Sequence, residues 1–148
     1  MEYIQTVPRT DLARKTRRVL NAVQRGQTAI IESHGQPEAA LIDIVDYRIL
    51  RAATRYYNNP PAIDPEARLP DEAVDALEDT QERFNLVMAY YLAQSISLGR
   101  VAELLEIPWV SLRMCLSRLD VPVFVGPETM EEIQAEVDAI VGWKTREG

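Results

Sequence analysis

Cations crowd the start of this 148-residue chain. Arg9, Arg14, Lys15, Arg17 and Arg18 fall within ten residues, with Thr10 among them. On a rigid element such side chains can neutralise phosphates, release counterions and enter a groove of nucleic acid. Nothing comparable is assembled for catalysis. The single histidine, His34, sits in an expected hairpin turn, where exposure to solvent is the ordinary outcome. The single cysteine, Cys115, lies among Leu112, Met114, Leu116 and Leu119, the setting of a buried structural thiol. No pair of cysteines or histidines has metal-ligand spacing, and no glycine-rich phosphate loop occurs. The carboxylates are many, but they fall on expected helix surfaces. The residues point to a binding protein, not an enzyme, with no metal and no cofactor.

The elements that must position those cations can be read from periodicity. "YIQTV" (3–7) suits a short strand. Thr6 is a candidate cap for a helix with Pro8 and Asp11 in its first turn. Leu12, Thr16, Val19, Leu20 and Val23 then share one face at helical spacing. Arg14, Arg18, Asn21 and Arg25 share the other, with Arg17 beside them, and Gly26 ends the helix. A solvated helix face is the plain alternative to a nucleic-acid contact. "TAIIES" and "EAALIDI" read as two strands joined by "HGQP", with Gly35 at positive φ and Pro37 where the second strand begins. Asp43 is a natural N-cap for the next helix, and Asp46 lies in its first turn. Its expected inner face is Ile44, Tyr47, Leu50, Ala53 and Tyr57.

"NNPPAIDPEARLP" holds four prolines in thirteen residues and reads as a stiff linker. The expected domains are 1–58 and 71–148, with 59–70 between them. A long helix is expected over about 71–94, with Val74, Leu77, Gln81, Phe84, Met88 and Tyr91 as its stripe. Ser97 caps a short helix over 98–105, Pro108 permits a turn, and a second helix spans about 109–119, which is the helix-turn-helix pattern. "VPVFVG" is expected as a short strand. "PETMEEIQAEVDAIVGW" is expected as a last helix with Met130, Ile133, Val137, Ile140 and Val141 on one side and acids over most of the rest.

Charge divides the same way. Residues 1–58 hold nine Lys/Arg and six Asp/Glu, a net of +3; residues 59–148 hold seven and seventeen, a net of −10. A basic half and an acidic half suggest two kinds of partner. No apolar run approaches the roughly 18 residues of a membrane span, and the start lacks a secretory pattern. A cytoplasmic protein with no membrane partner is the expectation. A 58-residue unit with three short strands buries little apolar area alone. Two copies packed through their sheets would share one core and present two basic helices to two half-sites of a duplex.

"YIQTVPRTDLARKTRRVLNAVQRGQTAIIESHGQPEAALIDIVDYRIL" resembles a Phd/YefM-type antitoxin over nearly all of residues 3–50. The matching features are the short first strand, the amphipathic helix ending near "RG", the "HGQPEAALI" hairpin and the "DIVDY" helix start. The resemblance implies an α+β fold whose N-terminal part is a small antiparallel sheet with two helices. It also implies a homodimer or higher oligomer that binds operator double-stranded DNA, represses its own operon and neutralises a cognate toxin. Arg9 matches a DNA-contacting arginine of the family, while "ESHG" stands where the family often has basic turn residues.

"SISLGRVAELLEIPWVSLRMCLSRLDVPV" resembles a small UPF-type helix-turn-helix family whose members often lie beside PIN-domain ribonuclease toxins. Ser97, Leu98, Gly99, Ala102, Glu103, Leu104, Pro122 and Val123 match its pattern; Glu106 and Asp120 stand where that pattern has glycine. The second helix opens with Trp109, Val110, Ser111 and Leu112, which suits a protein contact better than a base edge. The resemblances imply a PIN-type ribonuclease as the toxin. An acidic amphipathic helix can be steered to such an electropositive enzyme. The expected toxin-facing residues are Val74, Leu77, Trp109, Met130, Ile133, Val137, Ile140, Val141 and Trp143. A dimeric DNA-binding transcriptional regulator without a toxin partner is the alternative reading, and a small enzyme is a distant third.

Overall fold

The computed structural model of the chain describes residues 4–124. Expected features of 125–148 therefore lie outside the described residues. The fold is α+β, with one three-stranded sheet and seven helices among the described residues. The chain separates into two compact units, Met1–Arg48 and Ile49–Gly148.

The first unit contains β1 (Ile4–Pro8), α1 (Arg9–Leu12), α2 (Thr16–Gln24), β2 (Thr28–Ser33), β3 (Gln36–Leu41) and the first residues of α3 (Ile44–Asn58). The sheet order is β1-β2-β3. The sheet is mixed, which corrects the expected antiparallel arrangement: β1 runs parallel to β2, and only β2 and β3 are antiparallel. The connections account for this. A tight turn forces antiparallel pairing, whereas the α1–α2 excursion carries the chain back so that β2 can restart in the direction of β1.

The expected single helix is broken in two. Thr6 stays in β1 and caps nothing, and α1 starts directly after Pro8. Thr16 donates its hydroxyl proton to the carbonyl oxygens of Leu12, at 2.6 Å, and of Ala13, at 3.3 Å. A hydroxyl that bonds back to the preceding turn competes with the helix ladder there. Val19 and Val23 are buried with Val7, Ala29 and Ile31, and Leu12 and Leu41 pack against that small cluster. Leu20 and Thr16, expected on the same face, are exposed. The hairpin loop is His34–Gly35, both at positive φ, as in a type I′ turn. His34 is exposed, as expected. The register slips by one residue beside Ile31 and Glu32, so Glu38 has no opposite number. Pro37 is tolerated there because β3 is an edge strand with a bulge. Asp43 accepts from the Val45 amide at 3.0 Å and caps α3 as its sequence position predicts.

The rest of α3 belongs to the second unit. Its buried face there is Ile49, Ala52 and Ala53. Only Ala53 of the expected inner face is buried; Ile44, Tyr47, Leu50 and Tyr57 are 40–57% exposed. The two alanines offer a narrow surface on which another helix can lie close, a direction that large apolar residues alone do not encode.

The proline-rich stretch lies inside this unit and is tied down. Leu69 is buried, Ser95 donates to the Ala67 carbonyl, and Arg100 donates to the Leu69 carbonyl. The long acidic helix is also divided, into α4 (Asp71–Asp75) and α5 (Thr80–Leu92). The first ends at Asp75, and Asp79 starts the second by taking an extended conformation and accepting from the Glu82 amide at 3.0 Å. Phe84, Val87, Met88, Tyr91 and Leu92 of α5 are buried. With α6 (Leu98–Leu105) and α7 (Trp109–Arg118) they form the core, closed by Leu98, Val101, Leu112, Cys115 and Leu116. Ser97 caps α6 through the Arg100 amide, as expected.

Left-handed residues finish four helices. Gly26, Gln94, Glu106 and Asp120 have φ of 100°, 62°, 56° and 56°. After each, the next amide donates five residues back: Gln27 to Ala22, Ser95 to Tyr90, Ile107 to Ala102 and Val121 to Leu116. This is the Schellman closure, usually made with glycine. Residues 121–124 are not the expected strand. Without a strand partner in this unit among the described residues, they are held by Tyr91. Its hydroxyl donates to the Pro122 carbonyl at 2.9 Å and accepts from the Phe124 amide at 2.8 Å. Burial raises the Tyr91 phenol above its ordinary range.

Candidate nucleic-acid interface

The parallel register decides where the cations emerge. Pro8 lies opposite Glu32 and Ser33 opposite Gln36, so α1 starts at the end of the sheet that carries the His34–Gly35 turn. Arg9, the first residue of α1, leans toward the bulged Glu38 at 3.8 Å. Had β1 been antiparallel, Arg9 would stand at the other end.

All six residues expected to meet DNA (Arg9, Thr10, Arg14, Lys15, Arg17 and Arg18) are exposed. Asp11 organises two of them. Arg14 donates to its carboxylate at 3.0 Å and Lys15 lies 3.5 Å away, at helical offsets of three and four. The hydrogen bond from Arg14, with the charge of Lys15, holds the Asp11 carboxyl below its ordinary range. Arg17 and Arg18 make no ion pair among the described residues. Further along, Arg25 donates to the Asn21 carbonyl at 3.2 Å and so folds back on its own helix.

Lys15 and Arg18 are brought together in a cleft of about 160 Å³ between β1 and α2, whose walls include Gln5, Thr6 and Asp11. Arg9, Thr10, Arg14 and Arg17 do not line it. Gln5 was not singled out by its sequence. The available signal is its parity with Val7 along β1, which turns a polar side chain toward the helix side of the sheet.

The residues expected to face a toxin are scattered. Val74 is 2% exposed and belongs to the core of the second unit, so as packed it offers a partner no surface. Leu77 is half-buried and lines a groove of about 400 Å³ with Arg55, Tyr56, Glu82 and Leu86; Arg55 and Glu82 pair across it at 3.2 Å. Trp109 is half-buried at the start of α7, its indole N–H shielded without a partner and the Arg113 guanidinium 5.7 Å from the ring centre. Val110 and Met114 beside it are exposed. Met130, Ile133, Val137, Ile140, Val141 and Trp143 lie outside the described residues.

No group of acids, histidines and cysteines able to hold a metal ion occurs among the described residues. Nor is any of their helices long and apolar enough to cross a membrane. No protein-family model matches the chain, and neither a curated protein nor a solved structure matches it.

Proposed function

We propose that the protein is a DNA-binding antitoxin that represses its own operon as a dimer and neutralises a PIN-type ribonuclease. The observation that carries the reading is the basic surface of α1 and α2. Five exposed cations stand along α1, α2 and the turn between them, and Asp11 and Glu38 pair with three of the five, Arg9, Arg14 and Lys15. Such a surface supplies the phosphate contacts that give a protein most of its affinity for duplex DNA. Dimerisation is supported by apolar surface that the first unit leaves in water: Ile4, Leu20, Ile44 and Tyr47 are each at least 43% exposed around a core of only five residues. A second copy gives that surface somewhere to go. The toxin reading rests on the acidic second half of the chain and on the exposed apolar side chains of α7.

Two experiments test this. The first is binding of the full chain to the duplex upstream of its own coding frame. Arg9→Ala combined with Arg14→Ala should weaken affinity and flatten its salt dependence; unchanged binding removes the first helix from the mechanism. The second is co-expression with an adjacent frame that encodes a carboxylate-rich nuclease. DNA binding without co-purification would leave the dimeric regulator as the better reading.

A further inference from the structure

The residues that bulk and spacing mark as the inner face of α3 are turned to water. Ile44, Tyr47, Leu50 and Tyr57 are 40–57% exposed, while Ile49, Ala52 and Ala53, on the other side of the same helix, are buried. Arg51 and Thr54 are exposed among the four. By helix geometry these six fall within a sector of about 140°. Tyr57 is braced edge-on against Tyr56, with ring centres 5.3 Å apart, so its exposed ring is held in place. Large apolar residues in a helical stripe ordinarily face a core. A core completed by another molecule satisfies both the pattern and the exposure.

The stripe is complementary to itself. From one end it runs Ile44, Tyr47, Leu50; from the other, at the same spacing, Tyr57, Thr54, Arg51. A two-fold axis between positions 50 and 51 therefore lays Ile44 on Tyr57 of a second copy, Tyr47 on Thr54 of that copy, and the two Leu50 side chains beside each other. Large meets small where Tyr47 meets Thr54, as interdigitating helices require, and the helix dipoles oppose. Arg51, the one charge in the stripe, can lay its stem along it and keep the guanidinium in water. Area supports the same occupant. An aromatic side chain offers about 150–250 Å², so the four apolar residues at these exposures leave roughly 350 Å² per copy. With Arg51 and Thr54, two copies remove roughly 1,100 Å² from water, enough for a specific interface.

We propose that α3 pairs antiparallel with α3 of a second copy along this stripe. The inference rests on the dimer of the proposed function and gives it a surface, the third helix in place of the sheets. The test is sedimentation equilibrium of the full chain over a concentration series. Each substituted side chain faces water, so the fold is spared. Leu50→Glu and Tyr47→Glu should each weaken dimerisation about 100-fold. Adding Thr54→Lys to Tyr47→Glu should restore at least about tenfold of the loss, because each new acid then faces a new cation on the other copy. Within one chain the two positions stand two turns apart, roughly 10 Å, so the recovery comes from across the pair. A double variant no tighter than Tyr47→Glu overturns the antiparallel pairing. Ile4→Glu is the control for the sheets, since Ile4 lies on the face opposite the buried Val7. A dimer that survives Leu50→Glu and Tyr47→Glu but not Ile4→Glu sits on the sheets; the α3 pairing then falls while the dimer reading stands. A wild-type chain that stays monomeric throughout overturns both.

Discussion

Changing Tyr91 to phenylalanine removes a single oxygen that serves two backbone groups. Tyr91 is 1% exposed, and its hydroxyl both donates to Pro122 and accepts from Phe124. Those bonds hold 121–124 against α5, where Val121 is buried. The phenylalanine ring fills the same space, so the change isolates the hydroxyl from the packing. Leaving a buried donor or acceptor without its partner costs about 1–3 kcal/mol. Cys115 offers a direct readout. It is the only cysteine in the chain and is 2% exposed in the core of the same unit. A thiol reagent reaches it only when that core opens, so the loss should appear as labelling about 5- to 150-fold faster. The wild type should add a pH signature. Burial holds the Tyr91 phenol above its ordinary 10.0, so the folded chain keeps that proton longer than the unfolded one. Its contribution is complete below pH 10 and lost as the pH climbs through the raised value. An exposed thiol is already ionised by then, so further acceleration reports opening. The Tyr91→Phe chain should lack that component. Labelling within about twofold of the wild type, with the same alkaline profile, would show that the segment does not close the core.

Other outcomes can be stated more briefly. Glu106 takes the left-handed closing position of α6, where glycine carries no Cβ penalty, so Glu106→Gly should stabilise the second unit by about 1 kcal/mol in urea denaturation. A loss of stability would mean the Glu106 side chain contributes more than its backbone costs. Asp79→Ala removes the cap of α5 and should destabilise the unit by about 1 kcal/mol in the same assay; no change would mean solvent satisfies the Glu82 amide equally well. Acidification should weaken the Asp11 pairs with Arg14 and Lys15, because a depressed carboxyl gives its contribution above its ordinary range and loses it as pH falls. Chemical shifts of the two cations should follow that titration, and indifference to it would separate them from Asp11.

Much of this architecture is legible in the residues, and the misses share causes. β2 spans "TAIIES", α6 spans 98–105 with Ser97 as its cap, and Cys115 is buried, because local chemistry alone decides each. Gly26 announces its own helix end, but Gln94, Glu106 and Asp120 close helices in the same way without the residue that would signal it. The break between α1 and α2 coincides with the Thr16 hydroxyl bonding back to the Leu12 carbonyl, which no hydrophobic pattern encodes. Side-chain bulk points to one inner face of α3, whereas Ile49 and two alanines are the residues buried. The direction of β1 is set by a connection, not by any residue within it. The cations of α1 and α2 stand out in composition; the shielded nitrogen of Gln5 has no mark in the sequence beyond alternation with Val7.

The direction of β1 also settles which rim of the sheet each of its two ends reaches. Ile4 sits opposite Thr28, while Pro8 sits opposite Glu32. Ile4 therefore stands at a rim of the sheet roughly 13 Å from the one that bears Arg9 and the His34–Gly35 bend. On the proposed DNA-binding reading, a duplex that meets Arg9 comes to the rim of the sheet opposite the one that holds Ile4.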